Sequence, residues 1–224
     1  MGKKLEIENL SFSYKEKDIL KNANYSFEEG NLYVVIAKNG EGKSTLFKLI
    51  GGEYADYTGA IKGNSNTILH RQMPVYFEDM TVLENIQTFI YCLNSNRDAN
   101  EVIEEYGLSE IKNTVSRLLS GGEKQRLYIA ITSIKEEDVY LYDEADSALD
   151  AIGRKFYYDI LKKKAHEGKI VIAITHHLTE AINIADEICF MTHNALKKVD
   201  IKRLPEDFLQ YNENTMLEYL GNEV

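Results

Sequence analysis

The chain has 224 residues, enough for one large domain or a core with a smaller subdomain. Hydrophobic content of 44% and charged content of 28% are those of an ordinary soluble globular protein, and the formal net charge of −10 argues against a non-specific nucleic-acid binder, which needs a basic face for phosphates. Cys92 and Cys189 stand far apart, make neither a disulfide framework nor a zinc pattern, and are read as buried or partly buried thiols of a reducing cytoplasm.

The start, Met1-Gly2-Lys3-Lys4, has no apolar stretch behind its lysines and is not read as a signal peptide; with Glu6 following, Gly2 also lacks the Ser or Thr of a myristoylation site. The longest apolar runs are strand length, far short of the ~20 residues a helix needs to cross a membrane. Residues 4–9 alternate in the β manner, a second strand-like run ends near Phe27, and Glu29-Gly30 makes a turn. Residues 32–37 are apolar and predict a fully buried strand. The run Ala37-Lys38-Asn39-Gly40-Glu41-Gly42-Lys43-Ser44-Thr45 follows, and a helix is predicted over 43–50 with Gly51-Gly52 as its C-cap. A glycine-rich loop between a buried strand and a helix is the setting of a phosphate loop. Its backbone N–H groups, with the helix N-terminus, would cradle phosphates. Lys43 would reach the β and γ phosphates, Ser44 would ligate Mg²⁺ and Thr45 would bond the α phosphate. The strict pattern begins with Gly; Ala37 costs roughly 1 kcal/mol there only if its φ is positive.

Thr81-Val82-Leu83-Glu84 is a capping box, with Leu83, Ile86 and Ile90 on one helix face behind it. A short helix over 101–106 is stopped by Gly107. A third helix begins near Gly122 and carries Leu127, Ala130, Ile131 and Ile134 inward; Ser120-Gly121-Gly122-Glu123 in front of it is again a capping box. Strands are predicted over 139–142 and 170–175. The first delivers Asp143 and Glu144, which would hold Mg²⁺ and polarise an attacking water; the second delivers His176. His176 and His177 are adjacent, so they cannot share a helix face, and with no third ligand they make no metal site. This β–α alternation predicts a largely parallel sheet covered on both faces. Its strands bring the phosphate loop, the carboxylate pair and His176 to their carboxyl ends, the edge at which open parallel sheets bind ligands. Neither Pro74 nor Pro205 marks a linker, and the tail after about Lys202 leaves no room for an added regulatory domain.

The run Leu119-Ser120-Gly121-Gly122-Glu123-Lys124-Gln125-Arg126, followed by Tyr140-Leu141-Tyr142-Asp143-Glu144, resembles the signature and Walker B segments of ATP-binding cassette (ABC) ATPases. With the phosphate loop as Walker A, the resemblance covers nearly the whole chain. It implies an α/β fold: a P-loop NTPase (RecA-like) core with a mainly parallel sheet, an N-terminal antiparallel β subdomain and an inserted α-helical subdomain. Residues 1–72 and 136–224 would form the core and its β subdomain, and 73–135 the helical subdomain carrying the signature. The resemblance makes Tyr14 the aromatic that stacks on adenine and Gln72 the sensor of Mg²⁺ and the attacking water. His176 becomes the switch histidine at the γ phosphate, and Ser147-Ala148-Leu149-Asp150 the D-loop of the dimer interface. The implied catalytic set is Glu144, His176, Gln72 and Lys43, with Mg²⁺ on Ser44, Gln72 and Asp143. The nucleotide set is Tyr14, Asn39, Gly40, Glu41, Gly42, Lys43, Ser44 and Thr45, completed by Ser120, Gly121 and Gly122 turned toward a partner's γ phosphate. Glu123 stands where Gln is commoner in the family.

The function this implies is that of the ATP-binding and ATP-hydrolysing subunit of an ABC transporter. Two such chains, a homodimer or a heterodimer, would clamp two Mg-ATP and power a separate integral membrane subunit. The chain would be cytoplasmic and peripheral on the inner face of the membrane, with a slight lean toward export because the chain is short, and it would not bind nucleic acid. A surface near Gln72 to Asp79, with Tyr76 and Phe77, would receive a helix of the membrane subunit. The alternative is a soluble ABC ATPase of an assembly pathway such as iron–sulfur cluster assembly. Chromosome-type members carry long coiled coils and translation-type members two cassettes, and this chain shows neither; a nucleotide kinase would need neither the signature nor His176.

Overall fold

Strand β1 (Lys4–Tyr14) lies between β2 (Lys17–Glu28) and β4 (Thr58–Lys62) in an antiparallel three-stranded sheet. The computed structural model from which this follows describes residues 2–70, 75–200, 203–205 and 207–223. The predicted alternation ends at residue 9, yet β1 runs on to Tyr14. Asn9, with φ 48°, marks a shift of register through which pairing resumes at Leu10, so the bulge hides the second half of the strand from a period-2 reading.

The second sheet has six strands in the order β5-β6-β7-β3-β8-β9. These are β3 (Leu32–Ile36), β5 (Thr67–His70), β6 (Val139–Asp143), β7 (Ile170–Ile174), β8 (Glu187–Thr192) and β9 (Ala195–Val199). Pairs β6–β7, β7–β3 and β3–β8 are parallel, and β8–β9 is an antiparallel hairpin. Every residue of β3 and β7 is buried, as expected of central parallel strands covered on both faces. Alternation sorts them: Tyr33 and Val35 of β3 and Ala37 just after it, with Ile170, Ile172 and Ile174 of β7, enter one core shared with β1, β2 and helix α1 (Lys43–Ile50). The helix ends as a Schellman motif: Gly52, with φ 75°, donates to Leu49 O at 3.1 Å and Glu53 to Lys48 O at 2.8 Å. Thus Gly52, rather than Gly51, takes the left-handed turn.

The remaining helices are α2 (Val82–Cys92), α3 (Ala99–Glu105), α4 (Gly121–Thr132), α5 (Ala151–His166), α6 (Leu178–Ile184) and α7 (Glu213–Glu223). The Thr81 box is present in both directions, but α2 buries Val82, Asn85 and Ile86, while Leu83 and Ile90 stay half-buried. Helix α3 begins two residues before the predicted start because the Asp98 carboxylate accepts from the amides of Asn100 and Glu101 at 2.8 and 3.1 Å. Cys189 is buried, but Cys92, at the end of α2, is exposed. No helix among the described residues is long and apolar enough to cross a membrane.

The chain divides into two compact units, 1–69 with 138–144 and 158–224, and 70–137 with 145–157. Expectation drew boundaries at 72/73 and 135/136 and left residues 145–157 in the core.

Candidate functional site

In the first unit, β3 runs directly into the phosphate loop. Gly40 and Gly42 have φ of 82° and 103°, a left-handed backbone that glycine adopts without steric cost. Ala37 is not among the residues of positive φ, so the departure from the strict pattern carries no backbone strain. A Cβ on Gly42 would lie 2.3 Å from Ile19 Cγ2 and 3.1 Å from Met191 Cε, so the loop is seated on β2 and β8 with no room for a side chain. Gly42 is the N-cap of α1 and supplies no capping side chain, no acidic residue stands in the first turn, and the amides of Ser44 and Thr45 have no partner among the described residues. A helix end left uncapped and without a carboxylate is suited to an anion. Lys43, 9% exposed, donates its ammonium to Ala37 O at 3.0 Å, which folds its stem back across the loop. Asn39 and Gly40 are exposed, and Glu41 closes the turn by donating its amide to Lys38 O at 3.2 Å.

Strand β6 ends on Asp143, whose Oδ1 accepts from Ser44 Oγ at 3.2 Å. The two residues assigned to Mg²⁺ that are described therefore stand together. Burial pushes the Asp143 carboxyl upward from its ordinary value; the Ser44 hydroxyl opposes this, and the neighbouring Glu144 carboxylate adds to it. In this range the native chain binds more protons than the unfolded one. Stability therefore falls as pH rises from the ordinary carboxylate value through the raised one, and the cost is fully present above the raised value. An oxygen pair that is costly to hold unneutralised, beside an uncapped phosphate loop, fits a divalent cation carried by a nucleotide. Asp143→Asn is expected to raise the melting temperature of the nucleotide-free chain at pH 7 and to abolish Mg²⁺-dependent ATP hydrolysis. Differential scanning calorimetry at pH 7 and pH 4 checks the first half: the gain shrinks at the lower pH.

Glu144 follows in a left-handed conformation, φ 52°, with its amide donating to Ile174 O at 3.0 Å. That turn sets its carboxylate Oε1 2.7 Å from His176 Nε2. A left-handed glutamate costs roughly 1 kcal/mol or more. Nothing in the sequence pattern announced it. Parallel pairing of β6 with β7 and β7 with β3 puts the ends carrying Asp143, His176 and the phosphate loop side by side. His177 takes the N-cap position of α6 and holds no side-chain cap.

Tyr14 ends β1 opposite Lys17, and Lys17 Nζ donates to Gly40 O at 3.2 Å, so the hairpin end touches the phosphate loop. Tyr14 is 42% exposed, which leaves part of its ring open to a stacking base. Neither Lys17 nor Tyr54, which the Tyr14 hydroxyl reaches, was singled out from sequence; an exposed lysine and a half-buried loop tyrosine carry no periodic signal.

In the second unit, Ser120 is the N-cap of α4 and the capping box is complete: the Glu123 carboxylate accepts from Ser120 N and Oγ, both at 2.8 Å, and Ser120 Oγ accepts from Glu123 N at 3.4 Å. The hydroxyl hydrogen of Ser120 is thus committed to Glu123. The amides of Gly121 and Gly122 have no partner among the described residues. Both glycines pack on the D-loop segment, where Cβ atoms on them would meet Ala148 and Leu149 at 3.7–3.8 Å. Together they line a cleft of about 600 Å³ that also takes in Arg126 and Asp150. Gln72 lies outside the described residues. Phe77 is 48% exposed and Tyr76 half-buried; Phe77 donates its amide to Asn85 Oδ1 at 2.7 Å and rests near Phe89, so neither ring is wholly buried.

A family model described as ABC transporter matches residues 20–147. The chain is 31% identical over 213 residues to the energy-coupling factor transporter ATP-binding protein EcfA1 of Fusobacterium nucleatum, covering 86% of this chain and 80% of that protein. It is 33% identical over 198 residues to the zinc import ATP-binding protein ZnuC of a Wolbachia species, covering 84% and 80%. A solved structure titled as the ATP binding subunit of an ABC transporter superposes with a TM-score of 0.79 at 20% identity, covering 98% of this chain and 99% of that one, a likeness of fold.

Proposed function

The chain belongs to the ABC transporter family, and from that premise we propose that it is an ATP-driven clamp whose two copies close on two Mg-ATP and drive a separate membrane subunit. ATP binding and hydrolysis are its activity. The observation that carries the finer reading is the row of adjacent parallel strands that ends in the phosphate loop, Asp143-Glu144 and His176.

Mg-ATP, when bound, supplies the electrophilic γ phosphorus and the charge that must be spread in the transition state. Lys43 and the amides of Ser44 and Thr45 would hold its phosphates, and the exposed Tyr14 ring would meet adenine. Ser44, Asp143 and Gln72 would hold the metal. Glu144 takes the proton of the attacking water on a carboxylate oxygen, and His176 orients that carboxylate and the γ phosphate. Gly121 and Gly122, oriented by the cap that Ser120 and Glu123 make, serve the nucleotide of the partner copy, so each site needs both chains. We assign residues 1–72 and 136–224 to the nucleotide core and 73–135 to the helical subdomain, with the D-loop leaning on the signature glycines. A homodimer is the pairing we favour, because this chain keeps both Glu144 and the Ser-Gly-Gly run.

The proposal places the chain on the cytoplasmic face of the membrane through its partner, with the exposed ring of Phe77 in the docking surface. The zinc relative is named for import, so we commit to ATP-driven transport and leave its direction to the membrane subunit. Purification of the tagged chain from detergent-solubilised membranes is expected to bring down an integral membrane protein. Persistent recovery of a soluble scaffold instead would establish the assembly-ATPase reading in its place.

A further inference from the structure

Tyr14 sits at the end of a two-stranded turn and is only partly covered, so its own strand leaves its ring much freedom to lose on binding a base. The structure removes that freedom with Tyr54, which lies outside β1 and β2, and with Phe12 two residues back in β1. The Tyr14 hydroxyl donates to the hydroxyl of Tyr54 at 2.5 Å, across 40 residues of chain. The two rings meet edge to face, centroids 5.8 Å apart at 88°. Phe12 closes the set, edge-on to Tyr14 at 5.0 Å and stacked on Tyr54 at 5.3 Å and 23°. One hydrogen bond and two ring contacts thus define where the Tyr14 ring can lie. Tyr54 follows the Schellman end of α1, and Lys48 of that helix places its ammonium 6.0 Å from the Tyr54 ring centroid. The helix whose first turn makes the phosphate loop therefore also carries, past its last turn, the residue that holds the base-side aromatic.

We propose that Tyr54 is a positioning residue for the nucleotide base: its hydroxyl fixes the Tyr14 ring for stacking on a purine and ties that ring to α1. This rests on the reading of Tyr14 as the base contact. It gives the exposed Tyr54 hydroxyl a task that packing does not require, since a phenylalanine would keep the stack on Phe12.

Calorimetric titration with ADP and with inorganic tripolyphosphate, which has no base, separates the outcomes. Tyr54→Phe is expected to raise the Kd for ADP about three- to tenfold, the worth of one net hydrogen bond, and to leave tripolyphosphate affinity unchanged. Tyr14→Phe breaks the same bond and should match it, and the double variant should be no weaker than either. A Tyr54→Phe protein that binds ADP like the parent overturns the proposal. So does an equal loss for tripolyphosphate, which would route the effect through the phosphate loop. Tyr14→Ala judges the underlying reading. If it leaves ADP affinity intact, the base-stacking role of Tyr14 falls and the positioning role with it; if it weakens ADP while Tyr54→Phe does not, only the positioning role falls.

Discussion

Glu144→Gln is expected to lower ATP turnover by about 10²–10⁴-fold, the usual share of a positioned general base, while ATP binding survives. The substitution is nearly isosteric and keeps the side-chain oxygen that faces His176 Nε2 at 2.7 Å, so the left-handed turn at φ 52° and its neighbours need not move. What is lost is the ability to accept a proton. Removing one negative charge beside the phosphates also relieves repulsion, so ATP affinity should hold or rise. If hydrolysis is what opens the clamp, the variant should accumulate as an ATP-bound dimer. Sedimentation velocity in saturating Mg-ATP reads this directly: parent protein mostly monomeric or exchanging, variant mostly dimeric. Monomers only would count against the clamp, and parent-like turnover would remove Glu144 from the chemistry.

The contact between Glu144 and His176 shows where sequence reading succeeds and where it stops. Both residues were found because each follows a buried apolar run, and buried parallel strands of five residues such as β3 and β7 are hard to misread. Helix α1 was legible for a related reason: a glycine loop starts it and a glycine pair ends it. Strands β4, β5, β8 and β9 and helix α7 were not legible. β4 is short and mostly exposed, and β9 carries Lys197 and Lys198 through its middle; each is fixed by neighbours distant in sequence rather than by its own period. Local conformation escaped for the same cause. The left-handed Glu144, the bulge at Asn9 and the bond from Tyr14 to Tyr54 are each imposed by tertiary partners. The D-loop segment was recognised as a motif, but its packing on Gly121 and Gly122 could be read only from coordinates.

The second large effect is expected from Gly121→Asp, and it separates the two roles that Ser120-Gly121-Gly122-Glu123 can play. Gly121 is the first residue of α4, exposed, with ordinary van der Waals room for a Cβ, its nearest neighbour being Ala148 Cβ at 3.8 Å. As a helix position it gains: aspartate is a better helix former than glycine, and a carboxylate in the first turn is favourable by about 0.3–1 kcal/mol. If the run is only a capping box, the variant is therefore as stable as the parent and as active. As an anion site it fails. The two unpartnered amides would face a partner's phosphates with a carboxylate between them, and a like-charge contact of several kcal/mol is about a hundredfold or more in association. The Ser120 hydroxyl cannot compensate, because its hydrogen is already given to Glu123. The expected result is an unchanged or raised melting temperature, parent-like ATP binding to the monomer, loss of the ATP-dependent dimer, and turnover down by about 10²-fold or more. Because ATP binding in the first unit draws on none of these residues, measuring Kd for ATP alongside dimerisation tells a failed clamp from a damaged phosphate loop. Parent-like dimerisation and turnover would reduce the run to a cap and take away the partner's half of the site.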